Sequence, residues 1–143
     1  MYYSIFRAHK MSALPSPHTG FDPERVSSAA LQAFFNLSAR WGLTAAQERI
    51  LLGSPPESTF FKWKAERTAR RLGRDALERI SYLLGIAKAL SILLPSPRAA
   101  DEWVKKPNAA PLFHGRSALD RMLGGSLVDL ADVRRYLDAQ RGL

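Results

Sequence analysis

Residues 43–63 read Leu43-Thr44-Ala45-Ala46-Gln47-Glu48-Arg49-Ile50-Leu51-Leu52-Gly53-Ser54-Pro55-Pro56-Glu57-Ser58-Thr59-Phe60-Phe61-Lys62-Trp63. Thr44 is a good N-cap, and Gln47 three residues later can reach back to complete a capping box. That predicts a helix running to Leu52. Gly53 takes the left-handed conformation that closes a helix, and Ser54-Pro55-Pro56-Glu57 then offers a fresh cap, a proline in the first turn and an N3 glutamate. A further helix therefore starts at once. Two short helices joined by so tight a turn predict a helix-turn-helix rather than an antiparallel hairpin.

Upstream, Val26, Ala29, Ala30, Ala33, Phe34 and Leu37 form one apolar stripe that begins near Arg25 and ends at Trp41-Gly42, a first helix. Residues 1–24 combine Ser, Pro and Gly without a sustained period and are expected to be a flexible N-terminal arm. Downstream, a long helix from about Asp75 to Leu94 is apolar on more than one side, a breadth suited to the central post of the fold and to a second copy of the chain. Pro95-Ser96-Pro97 stops it, and a short helix from Arg98 to Lys105 ends before Pro107. Ser117 and Ser126 each precede an aspartate by three residues, predicting two capped helices over 118–123 and 127–140. No segment alternates with period two for long enough to make a strand, so the fold class is all-α. The expected domains are a helix-turn-helix DNA-binding region at 25–74, a central helix and linker with a dimerisation role at 75–111, and a C-terminal unit at 112–143.

The 143 residues carry 21 basic and 13 acidic side chains, a net charge of +8 that favours an anionic partner. Between Lys62 and Arg74 the bias is concentrated: Lys62, Lys64, Arg67, Arg70, Arg71 and Arg74 face Glu66 alone. Phosphate binding by counterion release needs such density, and a solvated charged face is the bland alternative. On the third helix Phe60 and Trp63 read as core, with Phe61 on the outward side. Ser58, Thr59 and Lys62 are then free to meet a DNA groove, with Lys64, Arg67, Arg70 and Arg71 on phosphates. The absence of cysteine removes disulfides, thiolate zinc sites and catalytic thiols. His9, His18 and His114 have no metal-site spacing, Asp101-Glu102 do not form a paired acid and base, and Gly124-Gly125 is not a phosphate loop. A non-enzymatic protein without a cofactor is expected. The apolar run Leu83–Leu94 is too short to span a membrane, and the N-terminus does not read as a signal peptide, which predicts a cytoplasmic protein.

The C-terminal stretch runs Leu112-Phe113-His114-Gly115-Arg116-Ser117-Ala118-Leu119-Asp120-Arg121-Met122-Leu123, then Gly124-Gly125, and closes on Leu130-Ala131-Asp132-Val133-Arg134-Arg135-Tyr136-Leu137-Asp138-Ala139-Gln140-Arg141-Gly142-Leu143. It resembles the toxin-binding domain of the Xre/MbcA/ParS-type antitoxins, whose pattern is a Gly-Arg-Ser-Pro-Leu-Asp-like cap followed by a Val-Arg-Arg-Tyr-Leu-like helix. Ala118 stands where that family usually has proline, and the N-terminal arm has no counterpart in the pattern. The resemblance implies an antitoxin of a type II RES-Xre system that neutralises a RES-domain, NAD-degrading toxin by occluding its active site. It also implies that the chain binds operator DNA as an autoregulating repressor. Gly115, Arg116, Ser117, Arg135, Tyr136, Gln140 and Arg141 are the toxin-contact candidates, Arg and Tyr being favoured interface anchors. Leu130, Val133 and Leu137 are expected to hold the unit together, and Asp120 to cap. A homodimer is expected from the two-fold symmetry common to operators. The competing reading is a ligand-responsive helix-turn-helix transcription regulator without a toxin partner.

Overall fold

The computed structural model describes residues 22–143, and the expected arm lies outside them up to residue 21. Seven α-helices follow: α1 Pro23–Trp41, α2 Ala45–Leu51, α3 Glu57–Glu66, α4 Arg74–Leu93, α5 Pro97–Trp103, α6 Ala118–Met122 and α7 Leu127–Gln140. A single 3₁₀ turn, Pro111–Phe113, precedes α6. Among the described residues the only β-type pairing is an isolated bridge between Pro107 and Ser117.

The caps explain most of the boundaries. The first helix begins two residues earlier than its apolar stripe because Asp22 accepts the Glu24 N–H and Pro23 occupies the first turn, where its missing N–H costs nothing. Thr44 and Gln47 form the expected capping box on α2. Ser117 with Asp120 and Ser126 with Asp129 do the same for α6 and α7. Pro97 does not merely end the long helix: Ser96 accepts the Ala99 N–H, and Pro97 opens α5.

One cap departs from expectation. Ser54 does not cap α3, because its own backbone is left-handed (φ 55°) and its N–H donates to the Arg49 carbonyl at 2.9 Å. With Gly53 (φ 92°) donating to Ile50, both residues are used to close α2. Pro56, which has no side-chain acceptor, is left as the N-cap of α3. Glu57 consequently lies in the first turn rather than at N3, where its charge still favours the positive end of the helix.

Among the described residues a single core runs from α1 to α7. Phe34, Leu31 and Leu37 of α1, Leu51 of α2, Phe60 of α3, and Ile80, Leu83, Ile86 and Leu90 of α4 are sealed from solvent, together with Met122, Leu130, Val133 and Leu137 from the C-terminal helices. The helix α4 is the spine. It packs on α1 and α5 and most extensively on α7, so its broad apolar surface is largely covered within the chain, while Ile92 remains 54% exposed. Two polar ties bind α5 to the end of α1: Arg40 to Asp101 at 3.1 Å, and the Lys105 ammonium to the Gly42 carbonyl at 3.0 Å. Among the described residues, no helix is long and apolar enough to cross a membrane.

Candidate functional site

Two separate faces carry the candidate residues. The first is built on α3. Its inward side holds Phe60, and Trp63 is half-buried against the core. Ser58 and Lys62 are exposed on the outward side, with Thr59 half-buried between them. Phe61 is also exposed, to 54%, and its ring meets that of Phe60 edge-on at 5.0 Å. The helical spacing already put Phe61 beside Ser58 and Lys62, but an aromatic residue did not stand out among the polar candidates.

The cations of the basic stretch divide into two groups. Lys64 donates to Glu48 at 2.6 Å, and Glu48, only 4% exposed, also accepts the Ser38 hydroxyl. This clasp joins α1, α2 and α3, which fixes the helix-turn-helix angle. Arg67 ends α3 in a left-handed conformation (φ 53°), bonds the Asn36 side chain at 3.0 Å and lies over the Phe35 ring at 5.6 Å. Arg70 and Arg71 are exposed, with Leu72 buried after them and its N–H held by the Ser27 hydroxyl. Behind the turn, Arg79 of α4 is buried and paired with Asp75 at 2.8 Å. Gly53 lies so close to this pair that a Cβ there would stand 2.6 Å from Asp75 Oδ2, so the turn is locked to the base of α4.

The second face is C-terminal. The segment Phe113–Arg116 folds into a tight loop: His114 and Gly115 are both left-handed, and Gly115 and Arg116 exchange backbone bonds with Asn108. The loop leaves His114, Gly115 and Arg116 exposed, with Arg116 only 3.7 Å from the Asp120 carboxylate. Ser117, by contrast, is 8% exposed and engaged as a cap. Tyr136 belongs to an aromatic cluster, stacked on Trp103 at 6.5 Å and edge-on to Phe113 at 5.1 Å. Arg135 and Gln140 are exposed, while Arg141 lies 3.7 Å from Asp138.

Asp132 is a charge hub that local spacing did not reveal. It accepts from Arg135 on its own helix and from Arg121 of α6 at 3.0 Å, and Arg121 also reaches Asp129 at 3.4 Å. The Arg135 guanidinium, with Arg121 behind it, holds the Asp132 carboxyl below the usual carboxylate range, against the opposing effect of burial. Arg135 is thereby pre-positioned, exposed yet tethered at one end. Among the described residues no cluster of His, Asp or Glu is arranged to hold a metal ion.

Two family models match the chain. Residues 22–85 match the family model described as the antitoxin Xre-like helix-turn-helix domain. Residues 89–142 match the antitoxin Xre/MbcA/ParS C-terminal toxin-binding domain. A protein of Sinorhizobium fredii, described as the uncharacterized protein y4oB, is 47% identical over 132 residues, covering 90% of this chain and 99% of its own. No solved structure matches the chain.

Proposed function

The chain belongs to the Xre-type antitoxins, with a DNA-binding helix-turn-helix and a toxin-binding half, and on that premise we propose that its toxin is a RES-domain enzyme that degrades NAD. In this reading the C-terminal face covers the toxin's active-site entrance, and the helix-turn-helix carries the pair to the operator as a type II autorepressor. Two copies of the chain meet the two-fold operator.

The observation that carries it is the composition of the C-terminal face. Arg116 on a rigid loop and Arg135 on α7 are exposed cations whose backbones are fixed by the Asn108 contacts and by the buried Leu130, Val133 and Leu137. Arginines on an ordered backbone lose less freedom on binding and recognise carboxylates with directional, bidentate bonds. The expected direct contacts are Gly115, Arg116, Arg135, Tyr136, Gln140 and Arg141. Ser117 acts behind them by holding the loop. On the DNA face, Ser58, Thr59 and Lys62 approach the groove and Arg70 and Arg71 the phosphates, with Lys64 and Arg67 orienting α3.

The test is co-expression with a RES-domain toxin from the same genome, reading cellular NAD and co-purification. Deleting 112–143 would strip α7 from α4, so Arg116→Glu and Arg135→Glu are the informative variants. The wild-type chain should preserve NAD and hold the toxin, and the double variant should do neither while remaining folded. NAD loss that the wild-type chain does not slow would refute the assignment.

A further inference from the structure

The outward strip of α3 carries an unusual surface for a helix in a basic protein. Ser58, Phe61, Lys62 and Ala65 recur at three- and four-residue steps, share one face and are all exposed. Lys62 supplies the only charge on that strip, since Lys64 is clasped to Glu48 and Arg67 to Asn36. The acids Glu57 and Glu66 stand at the two ends of the helix. Phe60 is buried beneath and meets the Phe61 ring edge-on, so the ring is supported on one side and open on the other.

One ring flanked by a hydroxyl and an ammonium is too small a patch for a protein interface, which buries on the order of 1,000 Å² or more. It does match the size of a contact to one or two base edges. In the major groove the C5-methyl of thymine is the one apolar group that a standard base presents. The cations required for the backbone, Arg70 and Arg71, follow α3 directly and are exposed.

We propose that Phe61, with the Ala65 methyl beside it, reads thymine methyl groups in the major groove and is a specificity-determining residue of this helix-turn-helix. This rests on the DNA-binding reading above. Lys62 and Ser58 border the contact and set its register against phosphates and neighbouring base edges. Sequence preference therefore resides in an apolar contact rather than in the arginines.

The experiment selects duplexes from a randomised pool with the full-length protein, then replaces each thymine of the selected site by uracil, which removes only the methyl group. Affinities are measured by fluorescence anisotropy at fixed salt for wild type, Phe61→Ala and Phe61→Leu. One or two uracil positions should weaken wild-type binding about 3- to 5-fold, the magnitude of one buried methyl. The same positions should leave Phe61→Ala indifferent, and Phe61→Leu should retain part of the discrimination. Uracil substitution without effect on the wild type, or with equal effect on wild type and Phe61→Ala, overturns the proposal. So does a Phe61→Ala variant that changes oligomeric state or toxin binding while keeping its base preference. Failure of the wild type to select any duplex would instead refute the DNA-binding reading itself.

Discussion

The guanidinium of Arg134 lies across Gly85: a Cβ built on that glycine would stand 1.7 Å from Nη1 and 2.5 Å from Cζ of the arginine. Arg134 also bonds Asp138 through Nε at 3.1 Å on its own helix. The glycine in the middle of α4 thus makes the notch through which α7 settles on the spine. Gly85→Ala should gain up to about 1 kcal/mol of helix propensity, but only by displacing Arg134. In an Arg134→Ala background the notch is vacant and that gain should appear in full. A double-mutant cycle by denaturant unfolding should therefore give a coupling of about 1 kcal/mol. Strict additivity would show that the two residues do not compete for the same space.

Lys62 and Lys64 lie two residues apart, yet they should fail in different ways. Lys64→Ala leaves the buried Glu48 carboxylate with Ser38 as its remaining partner. The lysine's own side chain is 41% exposed, which tempers the cost to about 1–2 kcal/mol of stability. Lys62→Ala should change stability by less than about 0.5 kcal/mol while still weakening DNA binding. Equal melting temperatures for the two variants would count against the clasp.

For Arg70 and Arg71 the informative measurement is affinity as a function of salt. If each exposed guanidinium neutralises one phosphate, replacing both with alanine should flatten the slope of log affinity against log salt by about 2. The uniform loss should be the same on selected and random duplexes. An unchanged slope would remove these residues from the DNA face.

Acid should loosen the C-terminal unit at Asp132. Its carboxyl is held below the ordinary range, so the stabilisation it contributes is complete above the unfolded value of about 3.9 and is lost as pH falls through the lower folded value. Thermal unfolding of wild type and Asp132→Asn should differ at neutral pH and converge below about pH 4. A gap that stays constant across that range would mean that the Arg135 and Arg121 contacts carry no linkage.

Features that depend on neighbours three or four residues away were legible in the sequence. The Thr44–Gln47, Ser117–Asp120 and Ser126–Asp129 boxes, the apolar stripe of α1 and the spine helix all follow from such local spacing. Ser54 reads as a cap in the sequence because the same residue can end one helix or begin the next, and a short proline-rich turn does not reveal which. Lys64 and Arg67 read as phosphate contacts in the sequence because their partners, Glu48 and Asn36, are 16 and 31 positions away. Separation along the chain likewise hides Gly85 from Arg134 and Arg121 from Asp132. Phe61 lay on the expected outward face, but aromatic residues are ordinarily assigned to cores, and its exposure depends on Phe60 filling the inward place.

The shared spine makes one dimension of the molecule indivisible. Arg79 on α4 packs closely against Gly53 of the helix-turn-helix, and six residues later Gly85 receives Arg134 from the other half. Adding or deleting one residue between those anchors would swing one half around the spine by ~100° and shift it by ~1.5 Å. The interval from Arg79 to Gly85 therefore acts as a phase setting: it fixes the bearing of whatever the C-terminal face carries relative to the axis of whatever α3 touches.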